Sequence, residues 1–357
     1  MRLFYVWNNL YEDFMQHKLT GGALLDENGN LSEAGYAYDA VKTYDRKDIK
    51  AGKWRIKEWD YYLITDGKRA VALTIDDNSY MNLASVSFLD FEKKSYITKS
   101  EIGFFSFGKL NFPSSFNEGS VFYKGKSAVG SFEKKEDKRI LKFTYKKFDG
   151  NKDFSCEFTL FDEPRDKMVI ATPFYKPKYF YYNAKINCMK VSGFAKIGDA
   201  VYNFDDSVSL GTLDWGRGVW TYKNEWYWGS MQCYLSDGRR FGWNIGYGFG
   251  NTESASENML FIEGVAHKLD NVVFNIPRTN DGKYDYMSEW TINDNENRFN
   301  MRFKPIIDRY DYTSAVVISS LQHQVFGVFS GEVVLDDGSV IEIKDKIGFA
   351  EHVKNKW

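Results

Sequence analysis

Several residue types that define common protein classes are scarce in this sequence of 357 residues. Its three cysteines, Cys156, Cys188 and Cys233, lie far apart and form no C-x-x-C pair, so reduced thiols are expected in place of a disulfide framework. The four histidines show no H-x-H or H-E-x-x-H spacing. The sequence therefore predicts neither a metal site nor another bound cofactor.

Charge of one sign and long apolar runs are also lacking. The 47 basic and 49 acidic side chains leave a formal charge of -2, without the basic excess that nucleic-acid binding normally requires. No apolar run reaches the length of about 18 residues that a membrane span needs, and the first residues do not resemble a signal peptide. We therefore expect a cytoplasmic protein with no nucleic-acid partner and no stable membrane insertion.

Aromatic residues are abundant in this sequence, whereas proline is rare. The chain has 29 Phe, 24 Tyr and 10 Trp but only 6 Pro. Aromatic side chains favour the half-buried surface of a β-sheet, and they can also line a ligand cavity. Composition thus indicates a β-rich core and leaves the function open.

The clearest strand pattern lies on either side of Asp149-Gly150-Asn151. Every second residue is apolar from Leu141 to Tyr145 and again from Phe154 to Leu160, which predicts an antiparallel hairpin with one buried face. Further Asp-Gly turn signals begin at Asp66, Asp237, Asp281 and Asp337. Because strands do not alternate with helices, the sequence predicts an all-β sandwich or barrel and not a parallel sheet.

The first 50 residues are the least strand-like part of the chain. A capping pattern predicts a short helix over Asn9–Phe14, and a weak helical pattern runs from Ser32 to about Tyr44. We interpret residues 1–50 as a short helical arm that packs on the main body.

A possible internal repeat divides the remaining chain. Trp59 leads to an Asp-Gly turn and an apolar strand, and Trp226 leads to a second such turn and strand. Two hairpins with commonplace turn chemistry would look the same. If the repeat is real, residues 51–221 form a first β unit and residues 222–357 form a second.

The segment from Leu210 to Arg240 is the densest candidate for a site. It contains Trp215, Trp220, Trp226 and Trp228. A carboxylate held among indoles, such as Asp214, can become a general acid, whereas the nearby cation of Arg217 would favour its charged form. Asp214 is therefore either a proton donor or one half of a structural Asp–Arg pair that orders a Gly-rich turn.

Two other polar groups interrupt apolar strand sequence. Glu257 and Asn258 form one, and His323, between two glutamines, is the other. His323 could act as an acid, a base or an orienting donor, and it could equally be a buried histidine with a hydrogen-bond partner. The glycines at 246, 248 and 250 alternate at strand period, which favours close backbone approach on one face of a sheet.

These motifs carry a family resemblance that covers nearly the whole chain from about Ala23. LDWGRGVW with the following EWYW, ENML from Glu257, and HQVFGVFSG with the later GFAEH resemble the bacterial domain-of-unknown-function family 2804. The opening ALLDENGNL and KWRIKEWDYY are similar to that family too. The family name implies no activity.

A more distant resemblance concerns shape. YFYYNAKINCMKVSG, an Asp-Trp motif and a Trp-x-Trp motif are similar in layout to the carotenoid 1,2-hydratase and AttH-like proteins. This likeness implies two tandem lipocalin-like, calycin-related β-barrel units and the hydration of isoprenoid chains. It also implies that Asp214 is the carboxylate that protonates an alkene. The LDWGRG run differs from the more acidic run of those proteins by Arg217.

Three functions follow as hypotheses. The first is a cofactor-free acid–base enzyme acting on a small hydrophobic, isoprenoid- or lipid-like molecule in a barrel cavity, with Asp214 as acid assisted by His323 and Glu257. The substrate-binding residues would be Arg217, Trp215, Trp220, Trp226, Trp228 and Asn258. The second is a carrier of the same ligand without catalysis. The third is a carbohydrate enzyme that uses paired carboxylates from among Asp214, Glu225 and Glu257.

Overall fold

A computed structural model describes residues 16–315 and 318–356, with only the backbone at residue 315. Over these residues the chain forms β-strands and two short 3-10 helices, Arg46–Asp48 and Lys53–Arg55, without an α-helix. The all-β prediction is confirmed. The helix predicted over Asn9–Phe14 lies outside the described residues.

The strands up to residue 219 form a small two-stranded sheet and a large curled sheet. They are β1 Gly22–Ala23, β2 Gly35–Ala37, β3 Lys42–Thr43, β4 Ile56–Thr65, β5 Arg69–Asp77, β6 Met81–Asp90, β7 Ser95–Phe104, β8 Ser120–Lys124, β9 Ala128–Lys135, β10 Lys138–Asp149, β11 Lys152–Phe161, β12 Met168–Pro173, β13 Phe180–Ile197, β14 Ala200–Phe204 and β15 Leu210–Val219.

The large first sheet is antiparallel and has the order β7-β6-β5-β4-β15-β13-β11-β10-β9-β8, with β12 and β14 paired to β13 and β2 paired to β12. Its centre joins distant parts of the chain, because Thr65 of β4 pairs with Leu210 of β15. The sheet curls until its far strands approach each other, and Tyr145 of β10 donates a hydrogen bond to the Ser100 carbonyl of β7.

The second sheet uses the strands that follow. They are β16 Lys223–Tyr234, β17 Arg240–Tyr247, β18 Met259–Ile262, β19 Val265–Lys268, β20 Val272–Asn275, β21 Trp290–Asp294, β22 Phe299–Ala315, β23 Ile318–Val334 and β24 Val340–Lys356. Its order is β19-β18-β17-β16-β24-β23-β22-β21-β20, and it is also antiparallel and curled. Its inner face buries Trp243, Trp290, Phe303 and Phe329.

The sequence-predicted hairpin around Gly150 is confirmed. Strands β10 and β11 pair on either side of it, with Phe143 opposite Cys156, and their alternate apolar residues are buried. The Asp-Gly turns that begin at Asp66, Asp237 and Asp337 likewise connect paired neighbouring strands. The Asp281 turn lies within a loop between β20 and β21.

The helical pattern predicted from Ser32 to Tyr44 is wrong. That segment contains β2 and β3, and Tyr36 pairs with Ile170 of β12 in the first sheet. Backbone pairing with a neighbouring strand outweighs a weak local helical preference. Gln16 also contacts the second unit, since its side-chain oxygen accepts a hydrogen bond from the Ser256 amide at 2.7 Å. The large first sheet ends at Val219 and the second begins at Lys223, while the predicted division into 1–50, 51–221 and 222–357 stays a prediction.

Candidate functional site between the two sheets

The outer faces of the two curled sheets pack against each other, and the candidate site lies in this layer. Tyr61 and Leu63 of β4 share an apolar cluster with Trp228, Phe326 and Phe349 of the second sheet. A small cavity of about 10 Å³ lies in the same layer, lined in part by Leu63 and Phe326. The layer is therefore built by residues from both halves of the chain.

Asp214 faces this layer and is held by two neighbours from β13. The pairing of β15 with β13 places Lys185 directly opposite Asp214, and the Lys185 ammonium lies 2.8 Å from Oδ2. The Asn183 side chain donates to Oδ1 at 2.6 Å. The same ammonium lies 3.7 Å from the ring centroid of Trp228, a cation–π contact that crosses to the second sheet. Both oxygens of Asp214 are thus occupied as acceptors.

Of the two alternatives that the sequence left open for Asp214, the Asp214–Arg217 pair is not formed. Residues three apart on a strand point to opposite faces, and the LDWGRG run is the buried central strand β15 and not a turn. Arg217 points into the first sheet, where its guanidinium lies 3.0 Å from the Asp60 carboxylate. It also lies 4.1 Å from the ring centroid of Trp215, so both residues help to fill the interior of the first sheet.

Side chains therefore fill this part of the barrel interior, where we expected the ligand to bind. Trp215 packs edge-on against Tyr44, Phe116 and Tyr182, all fully or nearly fully buried. Neither Trp215 nor Arg217 lies on the face of β15 that carries Asp214, so neither reaches the inter-sheet layer. A cavity of about 170 Å³ does lie at one end of the first sheet, lined in part by Phe88 and Tyr202.

Glu257 faces the layer from the second sheet. The Asn244 side chain donates to its Oε2 at 3.1 Å, and the Trp228 indole donates to Asn244 at 2.7 Å. Burial raises the pKa of the Glu257 carboxyl above its ordinary value, against the attraction of Lys185. Among the residues that the structure describes, no hydrogen-bond donor contacts the other oxygen, Oε1.

Gly246 of β17 makes room for the Glu257 carboxyl. A Cβ atom on Gly246 would lie 2.6 Å from Oε1 of Glu257, so a side chain at this position would displace the carboxyl. The predicted close approach on one face of the strand is therefore present at Gly246. Asn258 braces the same loop, because its side-chain oxygen accepts from the Gly246 amide and its amide donates to the Asp270 carbonyl. Both ends of Asn258 are thus engaged with backbone groups.

Glu351 is a third carboxyl in the layer, and sequence reasoning did not select it. Its Oε1 accepts from the Trp226 indole at 2.9 Å and its Oε2 from the Gln324 amide at 3.0 Å. Burial raises its pKa to about 6, although Trp226 and the charge of Lys185 favour the ionised form. The available signal was strand alternation, which places Glu351 on the same face as the buried Phe349.

An aromatic wall borders the three carboxyl groups, since Tyr181 lies within electrostatic range of all three and the Trp226 indole donates to one of them, Glu351. It consists of Trp59, Tyr181, Trp220, Trp226 and Phe249. The Trp59 ring stacks on Tyr181 at 5.7 Å, and the Phe249 ring lies edge-on to Trp220 at 4.7 Å. The predicted Trp220, Trp226 and Trp228 therefore do meet Asp214 and Glu257 in one layer.

His323 lies on the opposite, inner face of the second sheet. Its Nδ1 is 2.7 Å from the Asp308 carboxylate and its ring stacks on Tyr286 at 3.8 Å. His352, on the adjacent strand, lies between the Tyr286 hydroxyl and the Glu225 carboxylate, both at 2.8 Å. His323 and Glu225 are therefore separated by the sheet from Asp214 and Glu257.

The described residues show neither a cluster of metal ligands nor a helix that could span a membrane. Residues 16–315 and 318–356 contain no group of three or more His, Cys, Asp and Glu side chains arranged to hold a metal ion. The same part of the chain has no helix with the length and apolar character required to cross a membrane.

The fold and layer define a class of all-β protein with two curled antiparallel sheets and an acidic, aromatic inter-sheet site. The chain belongs to the family described as domain of unknown function DUF2804, which matches residues 16–357. A comparison with curated proteins gives no match.

Two solved structures match most of this chain. An AttH-like protein from Nitrosomonas europaea is 14% identical, with a TM-score of 0.48, and the match covers 88% of this chain and 97% of that one. Kievitone hydratase from Nectria haematococca is 11% identical, with a TM-score of 0.46 and coverage of 94% and 98%.

Proposed function

We propose that this protein is a cofactor-independent acid–base enzyme of hydratase, isomerase or cyclase type, acting on an apolar isoprenoid- or lipid-like alkene at the inter-sheet site. The observation that supports this most is Glu257, a carboxyl with a raised pKa and one oxygen without a donor, beside an aromatic wall. A raised pKa lets a carboxyl hold its proton to higher pH than an ordinary glutamate, and a protonated carboxyl can act as a general acid.

In this proposal the proton of Glu257 moves to one alkene carbon and leaves a cation on its neighbour. The indole of Trp226 and the phenol ring of Tyr181 can stabilise that cation through their π faces, and Asp214 and Glu351 add negative charge nearby. In hydration, water attacks the cation and returns a proton to the Glu257 carboxylate. In isomerisation, an adjacent C–H bond returns the proton instead.

Glu257 replaces Asp214 as the proposed acid because of their different hydrogen bonds. Both Asp214 oxygens already accept from Lys185 and Asn183. Asp214 would therefore hold the Lys185 ammonium in position and balance its positive charge. His323 has no part in this reaction, since it lies on the other face of the second sheet.

The first test uses isotopic labels, because the substrate is unidentified. A panel of isoprenoid and fatty-acid alkenes is incubated with the protein in D2O and in ¹⁸O-labelled water, and products are analysed by mass spectrometry. We expect Glu257→Gln to lower kcat by about 10²-fold or more. The kcat of the wild type should fall as pH rises through the raised pKa of Glu257, because the acid is then lost.

The matched control is Glu289→Gln, which makes the same change at an exposed glutamate outside the site. It should leave turnover unchanged. Full turnover in a correctly folded Glu257→Gln variant would rule out the proposed acid.

A ligand carrier is the second candidate. It is favoured by Asp214 and Glu351, because neighbouring donors engage both oxygens of each carboxyl and leave neither group free for proton transfer. The carrier hypothesis predicts that an apolar molecule co-purifies with the protein from the native host and is detected by native mass spectrometry. After incubation with the protein in D2O, this molecule should contain no deuterium. The carbohydrate hypothesis loses one proposed carboxylate, because Glu225 contacts His352 on the other face of the sheet.

A further inference from the structure

Four aromatic rings form an exposed cluster at one end of β7, here called the aromatic loop patch. It consists of Trp54, Phe104, Phe105 and Phe107. Trp54, Phe104 and Phe105 are 51%, 69% and 58% exposed. The Trp54 ring lies 4.8 Å from Phe107 and 6.3 Å from Phe105, so the rings touch one another and share one surface. Contiguous exposed apolar surface of this kind marks an interaction site.

The backbone that carries this patch is held in an unfavourable conformation. Phe105 and Phe107 have φ angles of 59° and 46°, in the left-handed region that bulky residues rarely adopt. Between them, the buried Ser106 hydroxyl donates to Asp77 at 2.8 Å, and the Gly108 amide donates to the other Asp77 oxygen at 2.9 Å. Asp77 thus fixes a loop that turns its serine inward and its phenylalanines outward. Strain held in this way is typical of functional sites.

The chain beside the patch is basic. Residues 46–55 contain five Lys and Arg against one acidic residue, whereas the whole protein carries a formal charge of -2. The exposed lysines of this segment are Lys47, Lys50 and Lys53, and Lys109 is a further exposed lysine two residues after Phe107. The Lys53 ammonium lies 5.3 Å from the ring centroid of Phe107, so positive charge and aromatic surface are adjacent.

We propose that the aromatic loop patch docks the protein on the surface of an anionic lipid bilayer. The rings project from a loop end and are flanked by lysines, so they can enter the interfacial region while the ammonium groups remain at the headgroups. Anionic lipid complements the local positive charge. The docking proposal is independent of the proposed reaction. The patch is nevertheless connected to the aromatic wall, because Arg55, next to Trp54, donates to the Trp220 carbonyl at 2.8 Å.

The test is co-sedimentation of the full chain with vesicles of phosphatidylcholine alone or with phosphatidylglycerol. We expect the wild type to partition at least about tenfold more strongly onto the anionic vesicles, and to lose this preference in high salt. The double variant Phe104→Ser/Phe105→Asn should lower the partition coefficient at least about tenfold, since it removes two rings. Asn tolerates positive φ, so this change should preserve the fold.

Two further variants keep the test decisive. Tyr312→Ser removes a ring of similar exposure, 57%, from the second sheet and should bind like the wild type. Lys53→Glu/Lys109→Glu should lower binding to anionic vesicles only. The proposal is overturned if the wild type does not bind, if the double variant binds equally well, or if the wild type forms a dimer that the double variant lacks. That last outcome would assign the patch to a second copy of the chain.

Discussion

Glu351 is a carboxyl group buried between two sheets, and its protonation is therefore coupled to folding. Its pKa rises from an ordinary value of 4.5 to about 6 in the folded protein. The folded state then binds protons more tightly than the unfolded state. The corresponding contribution to stability is fully present below pH 4.5 and is lost as pH rises through 6, and a shift of this size corresponds to about 2 kcal/mol.

We expect Glu351→Gln to remove this contribution to the pH dependence. A glutamine can still accept from Trp226 through its oxygen and has no proton to lose. The free energy of unfolding, measured in urea at half-unit steps from pH 4 to 8, should vary less in the variant than in the wild type between pH 4.5 and 6. Identical pH profiles would show that folding does not raise the pKa of Glu351. Glu289→Gln is again the exposed control.

Gly216 of strand β15 leaves space for the Trp59 ring. A Cβ on Gly216 would lie 1.9 Å from the Trp59 ring, so this strand accepts the indole of the aromatic wall only without a side chain at that point. We expect Gly216→Ala to destabilise the protein by about 1–3 kcal/mol, because the ring must move in a packed layer. Chemical denaturation measures this change, and near-UV circular dichroism reports the displaced indole.

Gly52→Ala is the matched control, since nothing lies within 4 Å of a Cβ built there. Its effect should stay within about 0.5 kcal/mol. Equal stabilities for the two variants would mean that Trp59 does not occupy the surface of β15.

The elements that local sequence predicts best are hairpins, because alternation and Asp-Gly turns act over a few residues. The β10–β11 pair shows this directly. The glycines of LDWGRG instead suggested a turn, whereas the run is a strand covered on both faces, and its glycines make room for neighbours such as Trp59. The partners of Asp214 and Glu351 depend on β13 and β16, which pair with their strands only after long-range folding. No local pattern carries that information.

At the scale of the molecule, the inter-sheet layer joins the two halves. Phe326 lies in a cluster with residues of the first sheet, whereas Phe329 packs in the core of the second. We expect a single calorimetric unfolding transition for the wild type. Phe326→Ala should separate it into two, because it weakens the layer but leaves each core intact, whereas Phe329→Ala should lower the stability of the second half.

Two resolved transitions in the wild type would contradict this prediction and show that the halves unfold independently. Far-UV and near-UV circular dichroism, followed during the same heating, provide the necessary comparison between probes.

The pairing of β4 with β15 determines when the first sheet can be completed during synthesis on the ribosome. Strand β4 is made early, but one of its edges has no partner until residues 210–219 have left the exit tunnel. During that interval an apolar strand edge remains available to other nascent chains. Synthesis interrupted before residue 210 should therefore yield aggregation-prone fragments, and binding of a chaperone to the ribosome-bound chain should end soon after β15 emerges.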